Sequence, residues 1–148
     1  MTEMTEVIYD SPVGWVRRHI RRYVETNGRS GHDWNGHSAL LLTSRGRKSG
    51  RLRRTALIYG RDGDRYLVVA SNGGSRTHPS WYLNLTADPE VEVQVGADKF
   101  AARARTATAE EKPPLWRRMA SIFPQYDSYQ RRAQKAGRDI PVVILERV

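Results

Sequence analysis

The strongest constraint on this chain is a change of hydrophobic period at Ser38. Before it, apolar residues recur every three or four positions; after it they fall into short runs or alternation, closed by glycine, asparagine, aspartate or proline. The runs ALLLT, RTALIYG and RYLVVAS therefore predict neighbouring strands, and Arg61-Asp62-Gly63-Asp64 predicts a hairpin between the last two. VEVQV and KFAARARTA alternate around Gly96-Ala97-Asp98, a second hairpin, and PVVILERV supplies a final strand. Such alternation places one face in a core and the other in water. Strands of a doubly wound parallel sheet would be apolar throughout.

Three regions keep helical spacing. In the first, Val13, Val16, Ile20, Tyr23 and Val24 line one face between Ser11, read as the cap, and about Asn27, with Pro12 in the first turn. Arg17, Arg18, Arg21 and Arg22 occupy the opposite face, and Trp15 and Tyr23 add rings suited to a lipid interface. That face is either simply solvated or a peripheral contact with a membrane or partner. Residues Asn27 to Ser38 read as a loop, and HPSWYLNLTADP as a short helix opened by Pro79. Two more helices are expected from Thr108 or Ala109 through Ile122 and from Tyr126 to Ala136. Roughly six strands joined mainly by hairpins, with flanking helices, imply a small antiparallel barrel in an α+β arrangement.

Composition narrows the chemistry. The chain has 148 residues and no cysteine, so a single domain is expected, and a disulfide scaffold, a thiolate nucleophile and thiolate metal sites are excluded. The cytosol is the natural expectation, because the N-terminus is too polar and acidic for a secretory signal and no apolar run is long enough to span a bilayer. The formal charge of +9 favours an anionic ligand or surface.

No G-x-G-x-x-G, H-E-x-x-H or G-x-S-x-G occurs, and Arg47 stands where a phosphate loop needs glycine before Lys48. His19, His32, His37 and His78 do not form a metal-binding spacing, so no metal is expected. What remains is a cationic bend. Arg45, Arg47, Lys48, Arg51, Arg53 and Arg54 are interleaved with Gly46, Ser49 and Gly50, an arrangement suited to phosphate or carboxylate, or to an ordinary charged turn. VVASNGG ends a strand in a small polar loop whose glycines let a flat ring approach the backbone.

Taken together, LLLTSRGRKSGRLRRTALIY, VVASNGG, HPSWYLNLTADPEVEVQV, FPQYDSYQ and IPVVILERV resemble the deazaflavin-dependent nitroreductase family. This is the F420-dependent quinone and nitro reductase branch of the flavin/deazaflavin oxidoreductases. The resemblance runs from about Leu40 to Val148. It implies a split β-barrel of the FMN-binding type over residues 37–148, preceded by an N-terminal helix and loop over 1–36 of the same domain. It also implies coenzyme F420 as hydride donor and a quinone or nitro compound as acceptor.

Carried over by position, Arg47, Lys48, Ser49 and Arg53 correspond to phosphate and tail ligands, and Ala70, Ser71, Gly73 and Gly74 to backbone neighbours of the deazaflavin ring. Trp81 and Asn84 match the helix beside the cofactor, although Trp81 also suits a core position. Tyr126 and Tyr129 match paired tyrosines of the acceptor pocket, and with Ser71 they are the candidates for hydrogen-bonding the acceptor's developing oxyanion. Two positions depart from the pattern: Asn72 replaces a lysine, and Gln130, Arg131 and Arg132 stand where a further aromatic is usual. FMN is the alternative cofactor; it lacks the oligoglutamate tail that the breadth of the cationic bend would serve. A basic nucleic-acid-binding module is the competing class, disfavoured because the aromatics are not interleaved with the cations. The assembly is expected to be a monomer or homodimer.

Overall fold

The computed structural model describes residues 6–148. In chain order they form β1 (Ile8–Asp10), α1 (Gly14–Thr26), β2 (Asp33–Trp34), β3 (His37–Arg45), β4 (Leu52–Ile58), β5 (Gly60–Asp62) and β6 (Arg65–Val69). These are followed by α2 (Ser80–Ala87), β7 (Glu90–Val95), β8 (Asp98–Thr106), α3 (Lys112–Ile122), α4 (Gln125–Lys135) and β9 (Val142–Arg147). The nine strands form one sheet in the order β1-β4-β3-β7-β8-β9-β6-β5, with β2 paired to the start of β3. Only β1 and β4 run parallel; the other pairs are antiparallel. The fold is thus mixed α+β, with a large, mostly antiparallel sheet and flanking helices.

Both expected hairpins form around two-residue turns, with Asp62 opposite Arg65 and Val95 opposite Asp98. Gly63 (φ 61°) and Gly96 (φ 60°) supply the positive φ these turns need. The remaining differences from expectation have local causes. Nine strands replace about six because β1, β2 and β5 are only two or three residues long, too short to show a period. The hydrogen-bonded path is open, with β1 and β5 at its ends, so the sheet does not close into the small antiparallel barrel expected. RTALIYG is not one strand beside RYLVVAS: the chain leaves β4 after Ile58, and only the short β5 pairs with β6.

At that switch Gly60 is held against α3. A Cβ there would lie 2.6 Å from Met119 Sδ and 2.9 Å from Ile122 Cδ1. The Asn27–Ser38 segment is not all loop. Asn35 (φ 52°) and Gly36 (φ 83°) turn β2 back onto β3, the conformation that favours Asn-Gly. Ser11 does not cap α1, which begins at Gly14 after Val13; the Ser11 hydroxyl instead accepts from Val13 N at 3.3 Å. Helix α3 starts at Lys112, after Thr108 and Glu111 have satisfied each other's N–H groups through their side chains.

The apolar runs are explained by covering both faces of the sheet. Leu40, Leu42, Tyr66, Val68, Val143 and Leu145 point into one cluster with Val93 and Phe100. Their neighbours Leu67, Val69, Val142 and Ile144 turn to the opposite face, where Leu115, Met119 and Ala133 of α3 and α4 cover them. Strands β7 and β8, with no helix on their outer face, keep the alternation of buried Val91, Val93 and Ala102 with exposed Glu90, Glu92 and Arg103. Helix α1 covers Leu41 and Ala56 with Ile20 and Tyr23. Burying a side chain such as Ile20 is worth about 1.5–3 kcal/mol. Tyr23 is fully buried, which corrects its placement at a lipid interface. Its hydroxyl donates toward the carbonyls of Ala39 (2.9 Å) and Gln94 (3.3 Å) and accepts from Gly96 N (2.7 Å). Burial pushes this phenol up to about 12.

Candidate active site

Two clefts follow one another along β4. The first, about 420 Å³, is lined by Arg53, Arg54 and Thr55 of that strand, and the second, about 790 Å³, by Ala56, Leu57 and Ile58.

The first cleft takes its charge from the bend between β3 and β4. Gly46 N donates to Arg51 O (2.7 Å) and Gly50 N to Gly46 O (2.8 Å), closing the bend. The Ser49 hydroxyl accepts from Arg51 N at 3.1 Å. Of the six cations, Arg45 is engaged by Glu6 (2.6 Å) and Arg54 by Asp10 (2.6 Å), while Arg51 lies over the Tyr9 ring at 4.9 Å. Among the described residues Arg47, Lys48 and Arg53 have no acidic partner, and all three line the cleft with Ser49. Uncompensated cations converging on a concave surface are a donor set for phosphate or carboxylate.

Asn84, 5% exposed on α2, sets one of them in place. Its Oδ1 accepts from both Arg47 N (3.1 Å) and Arg47 Nη1 (2.8 Å), so its side-chain oxygen serves the bend. Trp81 is half-buried, packing on the sheet core and also lining the cleft. Tyr9, Asp10, Ser11 and Pro12 complete the wall. Sequence reasoning missed them, because the pairing of β1 with β4 joins Asp10 to Arg54 across a long stretch of chain and leaves no local pattern.

The second cleft is aromatic. Phe123, Tyr126 and Tyr129 form one wall, with Phe123–Tyr126 and Tyr126–Tyr129 centroids 4.9 and 6.5 Å apart. Trp15, Trp34 and His37 stand in its lining too, the two indoles 5.5 Å apart and His37 edge-on to Phe123 at 5.3 Å. Trp34 and His37 flank the Asn35-Gly36 turn and were missed with it; Asn-Gly itself was the signal. Tyr126 is 5% exposed, and burial with the adjacent Tyr129 phenol pushes its pKa well above the ordinary tyrosine value. It therefore stays a protonated donor at any physiological pH. Among the described residues neither the Tyr126 nor the Tyr129 hydroxyl has a hydrogen-bond partner.

Ser71 and Gly73 line this second cleft, whereas Ala70 and Gly74 line neither. Ala70 is fully buried beneath the loop. Gly74 (φ +78°) lies where a Cβ would meet Tyr129 O at 2.6 Å, so the loop rests directly on the backbone of α4. Asn72 turns back into its own loop, donating to Ser75 Oγ and Thr77 O at 2.9 Å each. Arg132, one of the residues replacing an expected aromatic, donates to Gly73 O at 3.0 Å. The candidate residues thus separate into two groups: Arg47, Lys48, Ser49, Arg53, Trp81 and Asn84 at the first cleft, and Ser71, Gly73, Tyr126 and Tyr129 at the second.

Comparison with known proteins gives the same direction. The sequence model of the F420H(2)-dependent quinone reductase family matches residues 15–147. The F420H(2)-dependent quinone reductase Rv1261c of Mycobacterium tuberculosis is 41% identical over 138 residues, which cover 89% of each chain. A solved F420-H2 dependent reductase (FDR-A) shares 38% identity at a TM-score of 0.66, covering 73% of this chain and 93% of that one. A second solved structure, described as a domain-swapped dimer, shares 35% identity at a TM-score of 0.68 and covers 92% of this chain and all of that one. With a family match over nearly its whole length and relatives of this identity, the chain belongs to the F420H(2)-dependent quinone reductase family.

Proposed function

We propose that this protein is a coenzyme F420-dependent reductase that passes hydride from the reduced deazaflavin to a quinone or nitro compound. The observation that carries the reading is the succession of the two clefts along one strand: unpaired cations at Arg53, then an aromatic hollow at Ala56–Ile58. A cofactor with a flat ring at one end and a phosphodiester with an oligoglutamate tail at the other needs that order of surfaces. FMN, with a phosphate and no tail, would leave part of the cationic set unused. An open hydrogen-bonded path with two free ends supports the split form of a barrel.

In this reading Arg47, Lys48 and Arg53 bind the phosphate and tail, Ser49 shapes their bend, and Asn84 keeps Arg47 turned toward the cleft. Trp81 closes one side. Of the loop, Ser71 and Gly73 offer backbone to the ring, Gly74 seats the loop on α4, and Ala70 lies buried beneath it. Reduced F420, when bound, supplies a hydride from C5, which needs no strong base from the protein. The chain's own task is orientation and exclusion of water. Tyr126 and Tyr129 bring hydroxyls with no partner among the described residues to the second cleft, where with Ser71 they donate hydrogen bonds to the acceptor oxygen as negative charge develops.

The test is binding followed by turnover: F420 titrated against the protein by fluorescence, then oxidation of the reduced form with menadione and with a nitroaromatic. Saturable binding and acceptor-dependent oxidation are expected. Binding of FMN in preference to F420, or uptake of neither, overturns the reading.

Two further proposals concern surroundings. The solved relative described as a domain-swapped dimer supports a homodimer. The exposed Val13 and Trp15 (48% and 54%) beside the arginine face of α1 support peripheral contact with the inner face of the cell membrane; no helix of the described residues is long and apolar enough to cross one. Flotation with anionic vesicles that is unaltered by Trp15→Ser with Arg18→Glu would remove the membrane contact.

A further inference from the structure

The most fully engaged cation in the protein lines neither cleft. Arg138 follows α4 and is 7% exposed. Its guanidinium donates through Nε to Ser75 O (2.9 Å), through Nη1 to Ala70 O (3.1 Å) and His78 Nδ1 (2.9 Å), and through Nη2 to Ser71 O. One planar fork thus collects three carbonyls of a single turn.

Two more carbonyls of that turn are taken as well. Asn72 O accepts from Ser75 N (3.1 Å) and Gly73 O from Arg132 Nη1 (3.0 Å). Among the described residues the N–H groups of Ser71, Asn72 and Gly73, by contrast, donate to no acceptor in the chain. Carbonyls of this loop are thus held by two arginines and by its own turn, while among the described residues three of its N–H groups stay unpaired. Three successive residues, Asn72, Gly73 and Gly74, have positive φ (47°, 63° and 78°), a left-handed course that glycine and asparagine adopt readily.

We propose that Arg138 is a positioning residue for the reductase site: by binding the carbonyls of Ala70, Ser71 and Ser75 it fixes the Ser71–Gly73 edge of the second cleft against Tyr126 and Tyr129. This rests on the proposed reading of that cleft as the place where ring and acceptor meet. No other side chain of the described residues reaches all three carbonyls, and lysine has neither the planarity nor the number of donors to replace the fork.

The test uses the full chain with Arg138→Lys and Arg138→Gln, and Val91→Ala, a core substitution on β7 remote from the loop, as a control for loss of stability. Amide hydrogen exchange of the two bonded N–H groups of the 71–76 segment, Gly74 (to Ser71 O, 2.9 Å) and Ser75 (to Asn72 O, 3.1 Å), is read first in the protein without cofactor. Exchange at least tenfold faster in that segment is expected for both Arg138 variants and for neither the wild type nor Val91→Ala. In turnover, kcat for quinone reduction should fall at least tenfold in Arg138→Gln, with F420 affinity changed less than threefold, because the anion-binding cleft is untouched.

Wild-type exchange in Arg138→Lys and Arg138→Gln would overturn the proposal. So would a kcat loss of the same size in Val91→Ala, which would reduce Arg138 to a stability residue. If the wild type neither binds F420 nor oxidises its reduced form, the proposed function fails on its own, while the exchange data still show whether Arg138 holds the loop.

Discussion

The first cleft is built from charge left over after local pairing, and the second from aromatic packing braced on backbone. Arg45 and Arg54 are matched by Glu6 and Asp10, and the residue of that matching, Arg47, Lys48 and Arg53, is what the first cleft presents. Its long side chains have few fixed partners, Asn84 being the exception. Tyr126 and Tyr129, in contrast, stand on a helix against which Gly74 leaves no room for a methyl group. The difference suggests a division of labour: adaptable electrostatics retain a flexible polyanionic tail, and a rigid wall orients the groups that react.

The sharpest way to break that division is to remove the free cations. Arg47→Ala, Lys48→Ala and Arg53→Ala together should weaken F420 binding about 100-fold or more, since charge-assisted hydrogen bonds are worth roughly 1.5–3 kcal/mol each. A fluorescence titration reads this, and the wild-type affinity should fall steeply with added salt. At the other cleft, Tyr126→Phe with Tyr129→Phe should lower kcat with a quinone by about 10- to 100-fold, the scale of lost proton donation, while F420 affinity stays within about twofold. Unchanged kcat in that double variant would end the tyrosine assignment. Asn84→Ala releases Arg47 without removing it, and a three- to tenfold loss of affinity is expected, about the worth of one net hydrogen bond.

The smallest effect concerns pH. Burial, reinforced by Arg138, lowers the pKa of His78 below its ordinary 6.5. Burial also lowers that of His19, opposed by its bond to Gly31 O and aided by Arg22. The unfolded chain then binds protons more readily than the folded one. The neutral histidines contribute stability that is present above pH 6.5 and lost as pH falls through their depressed folded values. Urea midpoints at about pH 7.5 and about pH 5.5 should differ in that direction, and His78→Gln should narrow the gap.

Much of this could be read from the residues because it is locally encoded. Asp62-Gly63 and Gly96 fix their turns whatever surrounds them, and the alternation of β7 and β8 survives because their outer face is wet. Helix α4 was placed by spacing, and its two tyrosines were singled out by the family resemblance. What stayed hidden depends on distant partners. Arg45 and Arg54 look identical to Arg47 and Arg53 in sequence, and only the return of β1 alongside β4 neutralises the first pair. Tyr23 had the composition of an interfacial ring and proved to be core, because three polar groups from β3 and the β7–β8 turn converge on its hydroxyl. Arg138 gave no signal at all: three of its four partners are backbone oxygens, which every residue carries, and the fourth is His78, distant in the chain.

The anchorage of Tyr23 has a mechanical consequence. A helix fastened to two strands and a turn by one hydroxyl, with Gly28 so close to Gly96 that a Cβ would fall 2.5 Å from its Cα, cannot swing away as a tether would. In the proposed surface contact α1 would carry the sheet with it as a stiff outrigger, and Trp15, in the lining of the aromatic hollow, would fix how high that opening stands above the surface.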